Sequence, residues 1–484
     1  MATSVAQPPL SPWTSRATDV PRTDAYPTVD QLLASFRELT VTHPTLVRER
    51  RIGTSRLGEP IPCFTVAEPG LGLGEPGPDD PASAEPGPRA PEFLIVGGVH
   101  PNEPVGYVTA LHLATALCQD PALRGHFGAR WHVVPCIDPD GARLNEGWFA
   151  TPFDHRRYGR HFYRPAFTEQ VEWTFPFAYK DAYFDRALPE TLALMRLIDD
   201  TRPRFLTTLH NGELGGVYYY VSRPLPALHD TLHAIPAALG IPLETGEPEA
   251  PFVPRHAEAV YGCIDMRDAY DHLESVGVDP TAGAIAGTSS ADYAARHGTL
   301  YLATEVPQWT HPDADDTTPT GERYADAVRR RAGLLRETGT VLAGTLAAVA
   351  PHLTLDTPFL RAVRAFVDSL PDAADGETAR AATEDGDRVA TVAERFGFEA
   401  GVHVVRVRYG GMLLRALAAE TGAGSATAEV HRNARELLAV YEGWQEQAAA
   451  WVGEPLPIAA LAGIQYAAIL ATAATTLDPT TPAG

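Results

Sequence analysis

Short apolar runs that end in a polar, chemically reactive residue form the main pattern in the first two thirds of the chain. Residues 93–96 are followed after two glycines by His100 and Glu103, residues 205–209 by His210, and residues 299–304 by Glu305. Continuous apolar runs of this length, bounded by turn residues, predict buried strands. Because functional groups of open α/β sheets gather beyond the carboxyl ends of the strands, we expect these four side chains to lie together.

The residue types at the strand ends suit a metal site. Imidazole and carboxylate groups bind zinc, and a catalytic zinc usually has three protein ligands and an open position for water. Taken singly, His100 and Glu103 also fit a surface turn, and His210 also fits a hydrogen-bonded core histidine. Glu305 is harder to explain in that way, since an unpaired buried carboxylate is costly.

Five segments, in their order along the chain, resemble the zinc carboxypeptidases of the M14 type and their relatives, the murein-peptide amidases and aspartoacylase-like deacylases. One is the motif Gly97-Gly-Val-His-Pro-Asn-Glu103. The others are residues 26–33, 51–62, 134–141 and 303–307, and the resemblance spans roughly residues 26–312.

The resemblance implies a fold, a cofactor and a set of roles. The fold is α/β, a mixed β-sheet flanked by helices. Zinc is expected on His100, Glu103 and His210, with Glu305 as the general base that activates water. In this family an arginine between the zinc motif and the third ligand stabilises the oxyanion, and Arg164 is the best match, with Arg160 second.

Residue composition and the pattern of apolar positions divide the chain into three regions. Residues 1–25 are rich in Pro, Ser and Thr and predict a loose arm. Residues 26–315 form the predicted catalytic domain, with a flexible loop at 68–92 that is dense in Pro, Gly and acidic residues. Residues 320–484 predict an all-helical C-terminal appendage, with helices at 320–347, 358–370, 388–397, 403–420, 427–451 and 458–477.

The apolar segment 458–477 is long enough to span a bilayer. Its many Ala and Thr residues and its lack of flanking Lys or Arg instead favour a buried helix or a dimer contact. A homodimer through the C-terminal helices is therefore one option.

Charge and cysteine content limit the partners and the compartment. The net charge of −22 argues against nucleic acid and against an anionic membrane surface. The four scattered cysteines make no CxxC pair and predict reduced thiols. Since the first 25 residues lack the apolar core of a secretory signal, we expect a cytoplasmic protein.

Substrate specificity is expected in and after the segment 142–186, where arginines alternate with aromatic residues. The alternative is that the segment is a long loop packed on the surface, so that any one of these residues has no contact with a substrate. The candidate substrate-binding residues are Arg143, Asn145, Arg160, Trp173, Glu213 and Asp292.

Two departures from the resembled family concern its carboxylate pocket. Where the carboxypeptidases have an Asn-Arg pair that binds the terminal carboxylate, the chain reads Val171-Glu-Trp-Thr-Phe-Pro176. Their mobile tyrosine is replaced by the segment 283–287, which contains no tyrosine. A pocket without a bidentate cation is poorly suited to a carboxylate.

Three functions remain open from the sequence. The first is a zinc-dependent hydrolase that cleaves an amide bond in a small peptide or an acylated amino compound. The second is a true metallocarboxypeptidase that uses another cation, such as Arg143 or Arg157, for the carboxylate. The third is a catalytically silent binding scaffold, which would have no need of Glu305 as a base.

Overall fold

The computed structural model describes residues 11–73, 90–246, 250, 252–275, 277–281 and 286–477. Its strands are β1 (Val47–Thr54), β2 (Pro60–Val66), β3 (Glu92–Val96), β4 (Arg130–Val134), β5 (Phe177–Tyr179), β6 (Ala182–Phe184), β7 (Phe205–Gly212), β8 (Tyr218–Val221), β9 (Arg255–Ala257), β10 (Val260–Gly262), β11 (Leu300–Pro307), β12 (Trp309–Thr310), β13 (Pro319–Arg323), β14 (Val389–Thr391) and β15 (Glu454–Pro455). Nine of them form one mixed sheet in the order β1-β2-β4-β3-β7-β11-β8-β10-β9. Its central strands β4, β3, β7 and β11 are parallel to one another.

The α-helices lie on both sides of this sheet and beyond it. They are α1 (Val29–Thr42), α2 (Val105–Gln119), α3 (Pro121–Phe127), α4 (Pro139–Phe149), α5 (His155–His161), α6 (Pro189–Thr201), α7 (Pro226–Ala237), α8 (Met266–Ser275), α9 (Ser290–Ala295), α10 (Tyr324–Val349), α11 (Pro358–Arg380), α12 (Val392–Ala423), α13 (Ala428–Val452) and α14 (Ile458–Thr475).

The continuous apolar run of β3 is explained by burial on both faces. Phe93 and Ile95 belong to one hydrophobic cluster, and Leu94 and Val96 belong to another. Successive side chains of a strand point to opposite faces, so a strand covered on both sides has no polar positions to alternate with. The predicted fold class, a mixed sheet flanked by helices with a helical C-terminal region, is confirmed.

The segment 138–141 begins helix α4, and the Asp138 side chain caps this helix by accepting a hydrogen bond from the Gly141 N–H at 2.9 Å. One helix prediction differs from the structure. The predicted helices 388–397 and 403–420 are one continuous helix, α12. The glycines of the segment 397–401 lie inside this helix and do not end it.

The N-terminal segment is packed rather than loose over its described part. Ala17 and Val20 are buried in the same hydrophobic cluster as the last helix, α14. A Cβ at Gly463 of α14 would clash with the backbone oxygen of Ala17, so only glycine permits this close approach. The prediction of a loose arm is therefore wrong for residues 11–25, while residues 1–10, and residues 74–89 of the predicted loop, lie outside the described part.

The last helix is buried inside the protein. By length and composition α14 is the one helix of the described residues that could cross a membrane, yet 78% of its apolar window is buried. It packs against α2, β7 and β11 and shares their hydrophobic cluster. Of the two alternatives for the segment 458–477, the structure has the buried helix, and the C-terminal region is joined to the sheet through this core.

A buried glutamine connects α14 to the strands that carry His210 and Glu305. The Gln465 amide donates hydrogen bonds to the backbone oxygens of His210 (2.6 Å) and Thr304 (3.3 Å). Its side-chain oxygen accepts a hydrogen bond from the Thr109 hydroxyl at 2.6 Å. The C-terminal helix thereby fixes the ends of β7 and β11.

We expect Gln465→Leu to lower the free energy of unfolding by about 1–3 kcal/mol, because it leaves buried polar partners unsatisfied. Chemical denaturation measures the change. Thr472→Val in the same helix is the matched control, since the buried Thr472 hydroxyl has no hydrogen-bond partner among the described residues. Equal losses in the two variants would contradict this role for Gln465.

Candidate metal centre

Three neighbouring strands bring the predicted functional residues to one edge of the sheet. His100 and Glu103 lie in the turn after β3, and β3 is adjacent to β7, which in turn is adjacent to β11. His210 on β7 and Glu305 on β11 are direct register partners. Gly98 has a positive φ of 69°, which allows the chain to turn sharply after β3.

His100, Glu103 and His210 form a compact buried cluster. Their potential ligand atoms all lie within 4.8 Å of one another. His210 Nδ1 lies 3.1 Å from Glu103 Oε2, and the two imidazole rings are 5.0 Å apart between centroids. The sequence prediction that these three residues lie together is correct.

The cluster fits a zinc ion. His100 Nδ1 is buried and has no hydrogen-bond partner among the described residues, which leaves a lone pair for a metal. Two histidines and a glutamate are a donor set that zinc accepts at catalytic sites. The residues present therefore match the cofactor expected from the sequence.

Neighbouring groups orient these side chains. The Thr208 hydroxyl lies 2.8 Å from His210 Nε2, which directs Nδ1 toward Glu103. Arg164 Nη1 donates to Glu103 Oε1 at 2.7 Å, and the Asn211 N–H donates to Oε2 at 3.3 Å. Such outer contacts hold metal ligands in place.

The electrostatics of the cluster also favour a cation. Burial lowers the pKa of His210, but Glu103 and Glu305 outweigh it and raise this pKa to about 9. For Glu103, burial raises the pKa, and the nearby histidines and Arg164 lower it below its ordinary range. The carboxylates thus attract a positive charge to this point, and a divalent metal would replace the proton of His210.

Glu305 lies beside the cluster and reaches solvent. Its Oε1 is 3.7 Å from His210 Nδ1, and its side chain is 13% exposed. It lines a cavity of about 270 Å³ together with all three predicted ligands. A carboxylate in this position can exchange protons with a water or a substrate in the cavity.

Three more of the predicted residues line the same cavity. They are Arg164, Trp173 and Glu213. The Glu213 carboxylate is bound by the Arg408 guanidinium and by the Tyr158 hydroxyl. Arg408 belongs to α12, so the C-terminal helical region contributes a wall of the site.

Two predicted substrate-binding residues are used by the fold instead. Arg143 forms ion pairs with Glu59 (2.9 Å) and Asp30 (2.8 Å) near the protein surface. Asn145 is fully buried, and its amide donates to the backbone oxygens of Gly141 (3.1 Å) and Tyr163 (2.9 Å). Neither residue lines the cavity, and their contacts fix the segment after β4, so the structure gives no support to their prediction as substrate contacts.

Arg160 and Asp292 also lie outside the lining of the cavity. The Arg160 side chain points to α13, with Nε 3.4 Å from Gln445 Oε1. Asp292 forms an ion pair with Arg267 at 2.8 Å. Neither position supports the predicted role in substrate binding. Arg160 is also not placed to stabilise an oxyanion in the cavity.

Sequence reasoning missed some of the cavity wall. Arg408 carries no recognisable signal, since it lies in an ordinary helical stretch far along the chain. Tyr218 and Tyr220 line the cavity from β8. A run of aromatic residues such as 218–220 favours a strand but does not indicate that the side chains line a cavity.

Comparison with known proteins agrees with the resemblance. Residues 32–246 match the family described as zinc carboxypeptidase, peptidase M14. Carboxypeptidase SOL1 of Arabidopsis thaliana is 28% identical over 197 residues, which are 40% of this chain and 34% of that protein. The chain therefore spans about a third of the length of this curated relative.

Solved structures of carboxypeptidases are also similar over part of the chain. Carboxypeptidase A from Helicoverpa armigera is 17% identical, with 60% of this chain and 66% of that chain covered and a TM-score of 0.37. A metallo-carboxypeptidase from Burkholderia cenocepacia is also 17% identical, with 57% and 59% covered and a TM-score of 0.34.

Proposed function

We propose, from the premise that residues 32–246 belong to the zinc carboxypeptidase family, that the chain is a zinc-dependent hydrolase. Its substrate is an amide or peptide bond in a small peptide or an acylated amino compound. The observation that carries the proposal is the position of Glu305, in one cavity with His100, Glu103 and His210. A metal-type cluster without an adjacent base would suit a structural metal site equally well.

The chemistry needs a proton acceptor and an oxyanion donor besides the metal. Zinc, when bound by His100, Glu103 and His210, supplies Lewis-acid activation of water and of the scissile carbonyl. Glu305 takes a proton from the attacking water and passes it to the leaving amine. The C–O bond forms first and gives the oxyanion; the carbonyl then re-forms as the C–N bond breaks and the amine takes the proton, so that the products are a carboxylic acid and an amine.

Arg164 has a double role in this proposal. One guanidinium nitrogen binds Glu103 Oε1 and so positions that carboxylate. The side chain also lines the cavity, and its other N–H groups are proposed to stabilise the oxyanion.

The character of the cavity favours an amidohydrolase over a carboxypeptidase. Glu172 and Trp173, which stand at the sequence position of the resembled family's Asn-Arg pair, line the cavity. The two arginines that line it, Arg164 and Arg408, are each bound to a glutamate. Because the remaining N–H groups of Arg164 are assigned to the oxyanion, no arginine or lysine among the described lining residues is left outside these roles to form a bidentate contact with a terminal carboxylate.

Matched substrates test the reaction type. Zinc-loaded protein is offered peptides with free and with amidated C-termini, and N-acyl amino acids, and the products are identified by mass spectrometry. Cleavage that ignores or prefers the blocked terminus is expected. Cleavage of only the free-carboxylate peptides would establish a metallocarboxypeptidase, and no zinc-dependent cleavage would favour the binding scaffold.

A further inference from the structure

The carboxylate of Glu172 is an unusual feature of the cavity wall. The residue is only 3% exposed, and it lines the cavity that contains the metal cluster. Glu172 Oε1 accepts hydrogen bonds from the Ser290 N–H (3.2 Å) and hydroxyl (2.8 Å), and Oε2 lies 3.0 Å from the same hydroxyl. One neutral residue therefore supplies all of these hydrogen bonds.

The negative charge of Glu172 is only partly balanced, by His210, which lowers the pKa of the carboxyl without forming an ion pair with it. Among the described residues, no basic side chain forms an ion pair with it. Burial raises its pKa, and His210 and the Ser290 hydrogen bonds offset this only in part, so that the pKa is about 7. A buried carboxylate in this state is costly and gains from a cationic partner.

A purely structural role does not require a carboxylate at this position. The adjacent helix α9 is already capped by Ser289, whose hydroxyl accepts a hydrogen bond from the Asp292 N–H at 3.2 Å. A glutamine at position 172 would accept the Ser290 hydrogen bonds through its amide oxygen. The charge is the property that a glutamine could not replace.

Aromatic rings line the same cavity. They belong to Trp173, Tyr218, Tyr220 and Tyr301, and the rings of Tyr218 and Tyr220 are 5.7 Å apart. Aromatic faces attract cations, and they do so most strongly at sites removed from water. A cavity lined by a carboxylate and by such rings is a suitable environment for an ammonium group.

We propose that the cavity selects amide substrates that carry an ammonium group, and that this group binds the Glu172 carboxylate. The proposal rests on the proposed amidohydrolase function for its substrate class. The substrate group recognised here is positively charged, whereas the pocket of a carboxypeptidase recognises the negatively charged terminal carboxylate.

Binding to a zinc-loaded Glu305→Gln variant tests this without relying on turnover. The ligands are N-acetyl-1,4-diaminobutane, its neutral analogue N-butylacetamide and its acidic analogue N-acetyl-4-aminobutanoate, measured by isothermal titration calorimetry. A second series of three ligands has the ammonium, neutral or carboxylate group on the acyl side of the amide bond instead of the amine side. In at least one series the amine is expected to bind about tenfold or more tightly than its neutral analogue, which corresponds to one charge-assisted contact.

A second substitution assigns the preference to Glu172. In Glu305→Gln/Glu172→Gln, the preference for the amine should disappear while affinity for the neutral amide is kept. Glu305→Gln/Asp292→Asn is the matched control and should keep the preference, since Asp292 is engaged by Arg267 outside the cavity lining. Equal or undetectable binding of the three ligands in both series, or a preference that survives Glu172→Gln, would overturn the proposal.

The two proposals fail in different ways. If the wild-type protein hydrolyses neutral and acidic amides as fast as amides that carry an ammonium group, the hydrolase proposal stands and the proposed ammonium selectivity is wrong. A Glu172-dependent preference in binding, without zinc-dependent hydrolysis of any amide by the wild type, would keep the recognition site and remove the hydrolase.

Discussion

The Glu305→Gln variant is expected to lose amide hydrolysis by a factor of at least about 100 while it keeps its zinc, because general acid–base catalysis typically contributes that much or more. Glutamine has the size of glutamate but cannot take the proton of the attacking water. Glu305 lies beside the metal cluster but is not one of its three proposed ligands. In this variant the turnover rate should therefore fall while the zinc content stays at the wild-type level.

Steady-state hydrolysis and elemental analysis of the same preparation measure both effects. Glu49→Gln is the control for the chemical change, since Glu49 of β1 forms an ion pair with Arg37 of α1 at the surface. Full activity in Glu305→Gln would contradict the role of Glu305 as the base. Loss of zinc in it would instead show that Glu305 is itself a ligand.

The second large effect is expected in His210→Ala, which should bind substantially less zinc than the wild type and lose zinc-dependent hydrolysis. The substitution removes one of three proposed ligands, and a zinc site with only two protein ligands falls below the number found at catalytic sites. Zinc per chain is measured after dialysis against buffer with a defined free zinc concentration. Because His210 is buried, circular dichroism checks that the variant is folded.

His100→Ala provides an independent variant from a different element and should give the same loss. His233→Ala is the control, since His233 is half-buried, lies outside the cavity lining and has its Nε2 hydrogen-bonded to the backbone oxygen of Glu258. Full zinc occupancy in either of the two ligand variants would contradict the proposed ligand set.

The strands that carry the site could be predicted because their sequence signal is local. The runs that became β3, β7 and β11 are mostly apolar and carry no charged residue before the strand end, as expected of strands buried on both faces. Their order along the chain and the tendency of functional groups to follow strand ends were enough to bring His210 and Glu305 together. In the structure His210 and Glu305 are direct register partners on neighbouring strands, which agrees with this prediction.

The residues of the cavity wall could not be predicted in the same way. Arg143 and Asn145 are polar residues near the motif, but whether such a side chain faces a cleft or another part of the fold depends on tertiary contacts. Arg408 reaches the cavity because α12 packs beside α5, which no local pattern in α12 indicates. Gln465 likewise acts on β7 and β11 only through the packing of α14.

Crystallographic location of the metal tests the central claim most directly. Crystals of the zinc-loaded protein are measured at wavelengths on both sides of the zinc absorption edge. The account predicts one anomalous peak per chain, enclosed by His100 Nδ1, the Glu103 carboxylate and His210 Nδ1, with Glu305 beside it but not bound. A zinc peak at any other position, or no peak among these three residues, would contradict it.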